Sequence, residues 1–219
     1  MQITVTDYLD VVSSWCFWSE PTWAELKKRY DGRVAFQWKI ALMDPVGLPT
    51  SREQEQWFYR RSGIMNRSPF MLNTDWYDAS LKEWLAPNAV AEAAKDLGIV
   101  DDRVRLALGH AALREGKKVS DWNVCADIAA SAAKVDKAKL LQTAQSPAVE
   151  KRMRESTAEF HAMQITQRPT FVIDTEIGDR AIFSGVVQLE PIAATIDSIL
   201  DDAEFYAAYK AHHGDPPAK

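Results

Sequence analysis

Apolar residues alternate with polar ones over QITVTDY at residues 2–8, a period of two that predicts a short β-strand. The same period returns in VAFQWKIAL, where Val34, Phe36, Trp38, Ile40 and Leu42 fall on one face. Between the two runs the period lengthens. Trp23, Leu26 and Tyr30 share a helical stripe, Lys and Arg fill the last turn, and Gly32 follows as a stop. The first 42 residues therefore predict β-α-β. From about Ser51 to Gln164 the pattern is helical, punctuated at Pro69, Pro87, Gly98, Gly116 and Pro147, with helix starts expected at Asn88, Asp102, Asp121, Asp136 and Ser146. The Ser146-Pro147 pair joins an N-cap to a first-turn proline and opens a long charged helix. Strand character comes back in PTFVID and RAIFSG, with the turn-like TEIGD between them, and LEPIAATIDSILDD reads as a closing amphipathic helix. The tail AHHGDPPAK is expected to fray.

A β-α-β crossover makes a parallel pair, whereas two strands joined by a short turn make an antiparallel one. The expected fold is thus α/β: a mixed four-stranded sheet of thioredoxin-like architecture, built from a β-α-β half and a β-β-α half and interrupted by a large all-helical insertion. The boundaries expected are 1–48 for the first half, 49–164 for the insertion, 165–210 for the second half and 211–219 for the tail.

Composition narrows the function classes. With 219 residues, 47% hydrophobic and 26% charged, and only 9 Gly and 10 Pro, the chain is an ordinary globular one, neither low-complexity nor a small disulfide scaffold. A net charge of −5 gives no long-range attraction to nucleic acid or to an acidic membrane, so neither is expected as a partner. No apolar run approaches the roughly 20 residues of a membrane span, and MQITVTDYLD has neither a basic nor an apolar leader region. A cytoplasmic location is expected. Two cysteines, Cys16 and Cys125, make no disulfide framework, and the 4 His have no metal-ligand spacing, so no metal is expected.

Chemistry concentrates where the first strand meets the first helix, at Asp10-Val11-Val12-Ser13-Ser14-Trp15-Cys16. A helix N-terminus presents unpaired N–H groups and the positive end of the dipole, which stabilise a thiolate placed there. Ser13 also suits a plain N-cap, Cys16 a small buried hydrophobe, and Cys125 in VCADIAASAA a core position. The aromatic residues Trp15, Phe17, Trp18 and Trp23, with Trp57, Phe58 and Tyr59, read first as packing. Arg60-Arg61 reads as a solvated face, and His110 and His161 as part of the helical insertion.

At this junction the chain resembles the DsbA-like thioredoxin superfamily, whose members carry a Cys-Pro-Trp-Cys or Ser-Pro-Tyr-Ser type motif there. In this sequence the motif is Ser13-Ser14-Trp15-Cys16, so serine stands at the attacking position and Ser14 where the family has proline. Gln167-Arg168-Pro169-Thr170-Phe171-Val172-Ile173 is similar to the family's cis-proline segment, and the alternative for Pro169 is an ordinary trans edge proline. Phe183-Ser184-Gly185 and the helical stretches NAVAEAAKDLG and ALREGKKVSDWNVCADIA extend the likeness over most of the chain. Serine at the first motif position is similar to kappa-class glutathione transferases and 2-hydroxychromene-2-carboxylate isomerases, where a serine hydroxyl hydrogen-bonds the glutathione thiolate. After Gly185 the chain reads Val186-Val187-Gln188, without the polar pair those transferases carry.

The resemblance implies a glutathione-dependent transferase or isomerase, with glutathione as co-substrate and a small apolar or aromatic molecule as second substrate. Ser13 and Cys16 would be catalytic, Ser13 orienting the thiolate and Cys16 lining the pocket. Ser14, Trp15, Trp18, Arg168, Pro169, Ser184 and Gly185 would bind thiol or substrate, Arg168 through its backbone. The family also allows a homodimer. Two other classes stay open: a thiol-disulfide oxidoreductase or isomerase using Cys16, and a non-catalytic peptide or partner-binding module. Serine at position 13 weighs against the first, because a hydroxyl cannot form the intramolecular disulfide of a dithiol cycle.

Overall fold

The computed structural model describes residues 2–44, 47–81 and 83–215. Strand β1 (Ile3–Leu9) is followed by helix α1 (Ser14–Arg29) and strand β2 (Ala35–Ile40). Six helices come next: α2 (Arg52–Met65), α3 (Leu85–Asp96), α4 (Arg103–Leu113), α5 (Trp122–Ala133), α6 (Lys137–Ala144) and α7 (Pro147–Ala162). Strands β3 (Thr170–Thr175) and β4 (Arg180–Ser184) and helix α8 (Leu189–His213) close the chain. β1 pairs parallel with β2 and antiparallel with β3, and β3 pairs antiparallel with β4, giving the order β2-β1-β3-β4. The expected mixed sheet with a helical insertion is what forms.

The period-two pattern of β1 divides the sheet into two faces. Ile3 and Val5 point with Phe171 and Ile173 into a core closed by Trp23 and Leu26 of α1, Tyr30 at its C-cap, and Ile192 and Ile196 of α8. On the opposite face Tyr8 and Val172 meet Phe160 of α7. A third cluster joins the end of β1, through Leu9 and Val11, to the interior of the helical insertion. No described helix is long and apolar enough to cross a membrane.

Several expected helix boundaries need correction. Asn88 does not start α3, which begins at Leu85. Pro87 is tolerated in that first turn because an amide there has no intrahelical partner to lose, and the Asn88 side chain is used elsewhere: it accepts from Val11 N at 2.9 Å and donates to Asp10 Oδ2 at 3.0 Å. Asp102 precedes α4 but makes no capping hydrogen bond, since its carboxylate is taken by Trp23, Lys27 and Arg105. Asp121, Asp136 and Ser146 do cap α5, α6 and α7. The tail expected to fray from residue 211 continues α8 to His213, where Lys210, His212 and His213 suit the negative end of the dipole and Gly214 ends the helix. Residues 216–219 of that tail lie outside the described residues.

The topology brings four segments to one end of the sheet. β1 and β2 run parallel, so both leave the sheet there, through Ser13 and Met43 respectively. β3 runs the other way and enters at the same end, directly after Arg168-Pro169, and β4 leaves beside it at Ser184-Gly185.

Candidate active site

Ser13 is the N-cap of α1: its backbone is extended (φ −72°, ψ 125°) and its Oγ accepts from Cys16 N at 3.4 Å. The turn before it is fixed by the buried Asp10 carboxylate, which accepts from Val12 N at 3.0 Å, Met43 N at 3.2 Å and Asn88 Nδ2 at 3.0 Å. One side chain therefore ties the β1–α1 turn to the segment after β2 and to α3. Burial still pushes the Asp10 carboxyl up, these hydrogen bonds opposing it.

Cys16 lies one turn into α1 and is 3% exposed. Burial pushes its thiol up, the neighbouring Asp7 carboxyl adds to the rise, and a hydrogen bond from Ser13 opposes it. Asp7 is itself buried, with Oδ1 unpartnered among the described residues, and burial holds it well above the usual carboxylate range. Cys16 faces a small cavity of about 30 Å³ that it shares with Glu20 and Arg105. This is the environment of a neutral thiol.

The Arg168–Pro169 peptide bond is cis. The loop is held from behind: Thr170 Oγ1 donates to Gln167 O at 2.6 Å, Ser184 Oγ to Gln167 O at 3.4 Å, and Gly185 N to Pro169 O at 2.8 Å. The Arg168 guanidinium turns away from solvent, donates to the Ala41 and Leu42 carbonyls and lies 4.5 Å from the Phe160 ring centroid. It acts as a strut between β2 and the loop.

These pieces enclose a cavity of about 710 Å³. One wall is Val12, Ser13, Ser14 and Trp15, a second is Thr166, Gln167 and Arg168, and α2 supplies Glu55, Phe58, Tyr59 and Arg61, with Met43 and Asp44 below. Of the residues expected from sequence, Ser13, Ser14, Trp15 and Arg168 line it. Cys16 does not line it, because it points into the core. Trp18 does not either: its Nε1 donates to Ser62 Oγ at 3.1 Å and its ring packs on Phe17 and Phe70, which joins α1 to α2. Pro169, Ser184 and Gly185 stand behind the lining and shape its loop. Phe58 and Tyr59, read from sequence as packing, form part of the wall, whereas Trp57 is 54% exposed. Glu55 was not singled out. The signal for it is a carboxyl one helical turn before Tyr59, on the buried side of an otherwise polar run.

The DSBA-like thioredoxin domain model matches residues 4–197. The chain belongs to this family. Solved structures share the fold at low identity. The cytosolic disulfide reductase DsbM from Pseudomonas aeruginosa is 16% identical, with a TM-score of 0.72 over 90% of this chain and 98% of that one. A second DsbM structure, with GSH, is 15% identical, with a TM-score of 0.71 over 90% and 99%. DsbA from Pseudomonas aeruginosa is 20% identical, with a TM-score of 0.58 over 94% and 86%. A search of curated protein sequences finds no match. In this DsbA-like chain the thioredoxin motif carries one thiol, and that thiol is buried.

Proposed function

We propose that the protein is a glutathione-dependent transferase or isomerase acting on a small apolar or aromatic electrophile. The observation that carries this reading is the division of labour at the start of α1: Ser13 faces the 710 Å³ cavity while Cys16 is sealed beneath it. A thiolate brought to Ser13 meets the positive end of the α1 dipole. The Ser13 oxygen accepts from Cys16 N, and its proton, which otherwise faces the Cys16 thiol, would turn to the glutathione sulfur. The cavity volume lies within the roughly 300–1,000 Å³ usual for small-molecule sites. Phe58, Met43 and Trp15 supply apolar wall, and Arg61 at the rim supplies a cation for a glutathione carboxylate. The glutathione-bound DsbM supports the choice of thiol. The reading includes a reducing compartment such as the cytoplasm, where glutathione is kept as the thiol.

Thiol–disulfide exchange is the second reading, supported by the neighbours named as a disulfide reductase and as DsbA. It requires Cys16 to ionise and to reach a disulfide, which its burial opposes.

Calorimetric titration with reduced glutathione tests the first reading. Binding is expected, weakened roughly 10-fold or more by Ser13→Ala, as for loss of a hydrogen bond to a charged group. Absence of binding, or insulin reduction that disappears in Cys16→Ser, would overturn it in favour of the second.

A further inference from the structure

The cavity holds a carboxyl that the reaction described above does not use. Glu55, in the first turn of α2, is 5% exposed, although Glu53 and Gln54 beside it are exposed. Among the described residues no Lys, Arg or His forms an ion pair with it. Tyr59, one helical turn on, stands beside it and is the group that opposes the rise of its pKa. Tyr59 Oη accepts from Trp76 Nε1 at 3.0 Å, so its phenolic proton is not used in that bond and can turn toward Glu55. The dyad is thus anchored on a buried indole and aimed into the same cavity as Ser13.

The charged and titratable groups around Glu55 are few. Tyr59 lies on its own helix, Tyr77 in the segment between α2 and α3, and Asp10 at the end of β1 beyond Tyr59. Arg61 lies two turns on along the same helix, and Asp44 and Arg168 stand across the cavity. Arg61 is exposed and stacked on Trp57 and Phe58 at 5.2 and 5.5 Å, and Arg168 is held by main-chain carbonyls, so neither cation is committed to Glu55. Burial pushes the Glu55 carboxyl up to about 7, with the Tyr59 hydrogen bond opposing. A carboxyl without a cation in such a site holds its proton up to near-neutral pH and can donate it there.

We propose that Glu55 is the general acid of this cavity, donating its proton to the oxyanion formed when a thiolate held at Ser13 adds to an electrophile. The inference rests on the thiol-transfer reading and names its substrate class: electrophiles whose reaction leaves an oxyanion, as carbonyl-conjugated alkenes and epoxides do. In the step, a sulfur–carbon bond forms. In an enone the C=C pair shifts to join the α carbon to the carbonyl carbon and the C=O π pair passes to oxygen; in an epoxide the C–O bonding pair passes to oxygen. In both the Glu55 O–H bond breaks and its proton goes to that oxygen, the enol from the enone then tautomerising to the ketone by exchange with solvent. Solvent then reprotonates the Glu55 carboxylate, replacing the proton the thiol released on ionising. An aryl halide expels halide and needs no proton, so an acid at this place gives it nothing.

The test compares the full-length protein with Glu55→Gln, using reduced glutathione and three probes: an enone, an aryl epoxide and chlorodinitrobenzene. The amide is a near-isostere that still accepts from Tyr59 and carries no charge, and thermal melting checks its fold. The ratio of kcat/KM for enone or epoxide to that for chlorodinitrobenzene is expected to fall about 10²-fold in Glu55→Gln. In the unsubstituted protein the ratio should decline as pH rises through about 7, where the acid form is lost, and in Glu55→Gln it should be flat. Tyr59→Phe removes the hydrogen bond that holds the carboxyl down, and should move the decline to higher pH. If glutathione binds but ratio and pH profile are the same in Glu55→Gln, the acid role is overturned and thiol transfer stands. If calorimetry shows no glutathione binding, the reading and this inference fall together.

Discussion

Ser13 and Cys16 are three residues apart on one helix, and the backbone alone decides which of them meets substrate. The N-cap is the last extended residue before α1 and stands at the cavity surface; the residue three positions on begins the helix face that packs inward. Cys125 is likewise buried, its Sγ donating to Val119 O at 2.9 Å, and burial pushes its thiol up. Since the thiolate is the reactive form, both cysteines should react with an aromatic disulfide reagent far more slowly in the native protein than in denaturant. Rapid native labelling at Cys16, measured by absorbance and mapped by mass spectrometry, would instead make it an accessible nucleophile. At this scale the sequence was partly legible. Ser13 and the Arg168-Pro169 pair were marked by a resemblance to short motifs. Glu55 was not, because helical charge patterning shows which face a residue occupies, and depth depends on what packs against that face.

Among the elements, the strands and most helices followed from period and caps, and the exceptions share a cause. Asn88 and Asp102 are good caps by residue type, yet tertiary partners claim both side chains, so the local signal is overridden. Trp18 fell to the same effect, its indole serving the α1–α2 contact. The β4 exit shows how an element can shape a site it does not line. Gly185 has φ +71°, and a Cβ added there would lie 3.1 Å from Gln167 Cβ. Gly185→Ala therefore combines left-handed strain, of about 1–2 kcal/mol, with a push on the loop that carries Arg168. The expected result is a small loss of stability in urea together with weaker glutathione binding by calorimetry. A loss of stability with unchanged affinity would show that the loop yields without disturbing the cavity.

Over the whole molecule the problem is to hold a helical insertion against a thioredoxin body without blurring the cavity between them. Asp10 and Asn88 form one joint, and Arg105 forms another. Arg105, on α4, has a side chain 2% exposed; it pairs with Glu20 of α1 and, at 2.8 Å, with Asp102, which also accepts from Trp23 Nε1 at 3.2 Å. No motif marked this cluster, because its members come from separate elements and each reads alone as an ordinary surface charge. Burial pushes Glu20 up, with Arg105 as the main opposing influence, and Asp7 nearby is raised further. Removing Arg105 leaves Glu20, Asp7 and Asp102 with Lys27, which pairs with Asp102, as the remaining cation of the cluster. Loss of one partner of a buried ion pair typically costs about 3–5 kcal/mol. Arg105→Met should therefore lower unfolding free energy by about that much in urea titrations at pH 7.5. Without Arg105 the raised Glu20 and Asp7 pKa values rise further and Asp102 loses one of the cations that hold it down, so the folded variant binds more protons than the parent fold and the deficit should shrink as pH falls toward 4.5. A pH-independent deficit would assign the loss to packing of the arginine stem, and no deficit would mean that the insertion is held to the body by its apolar contacts alone.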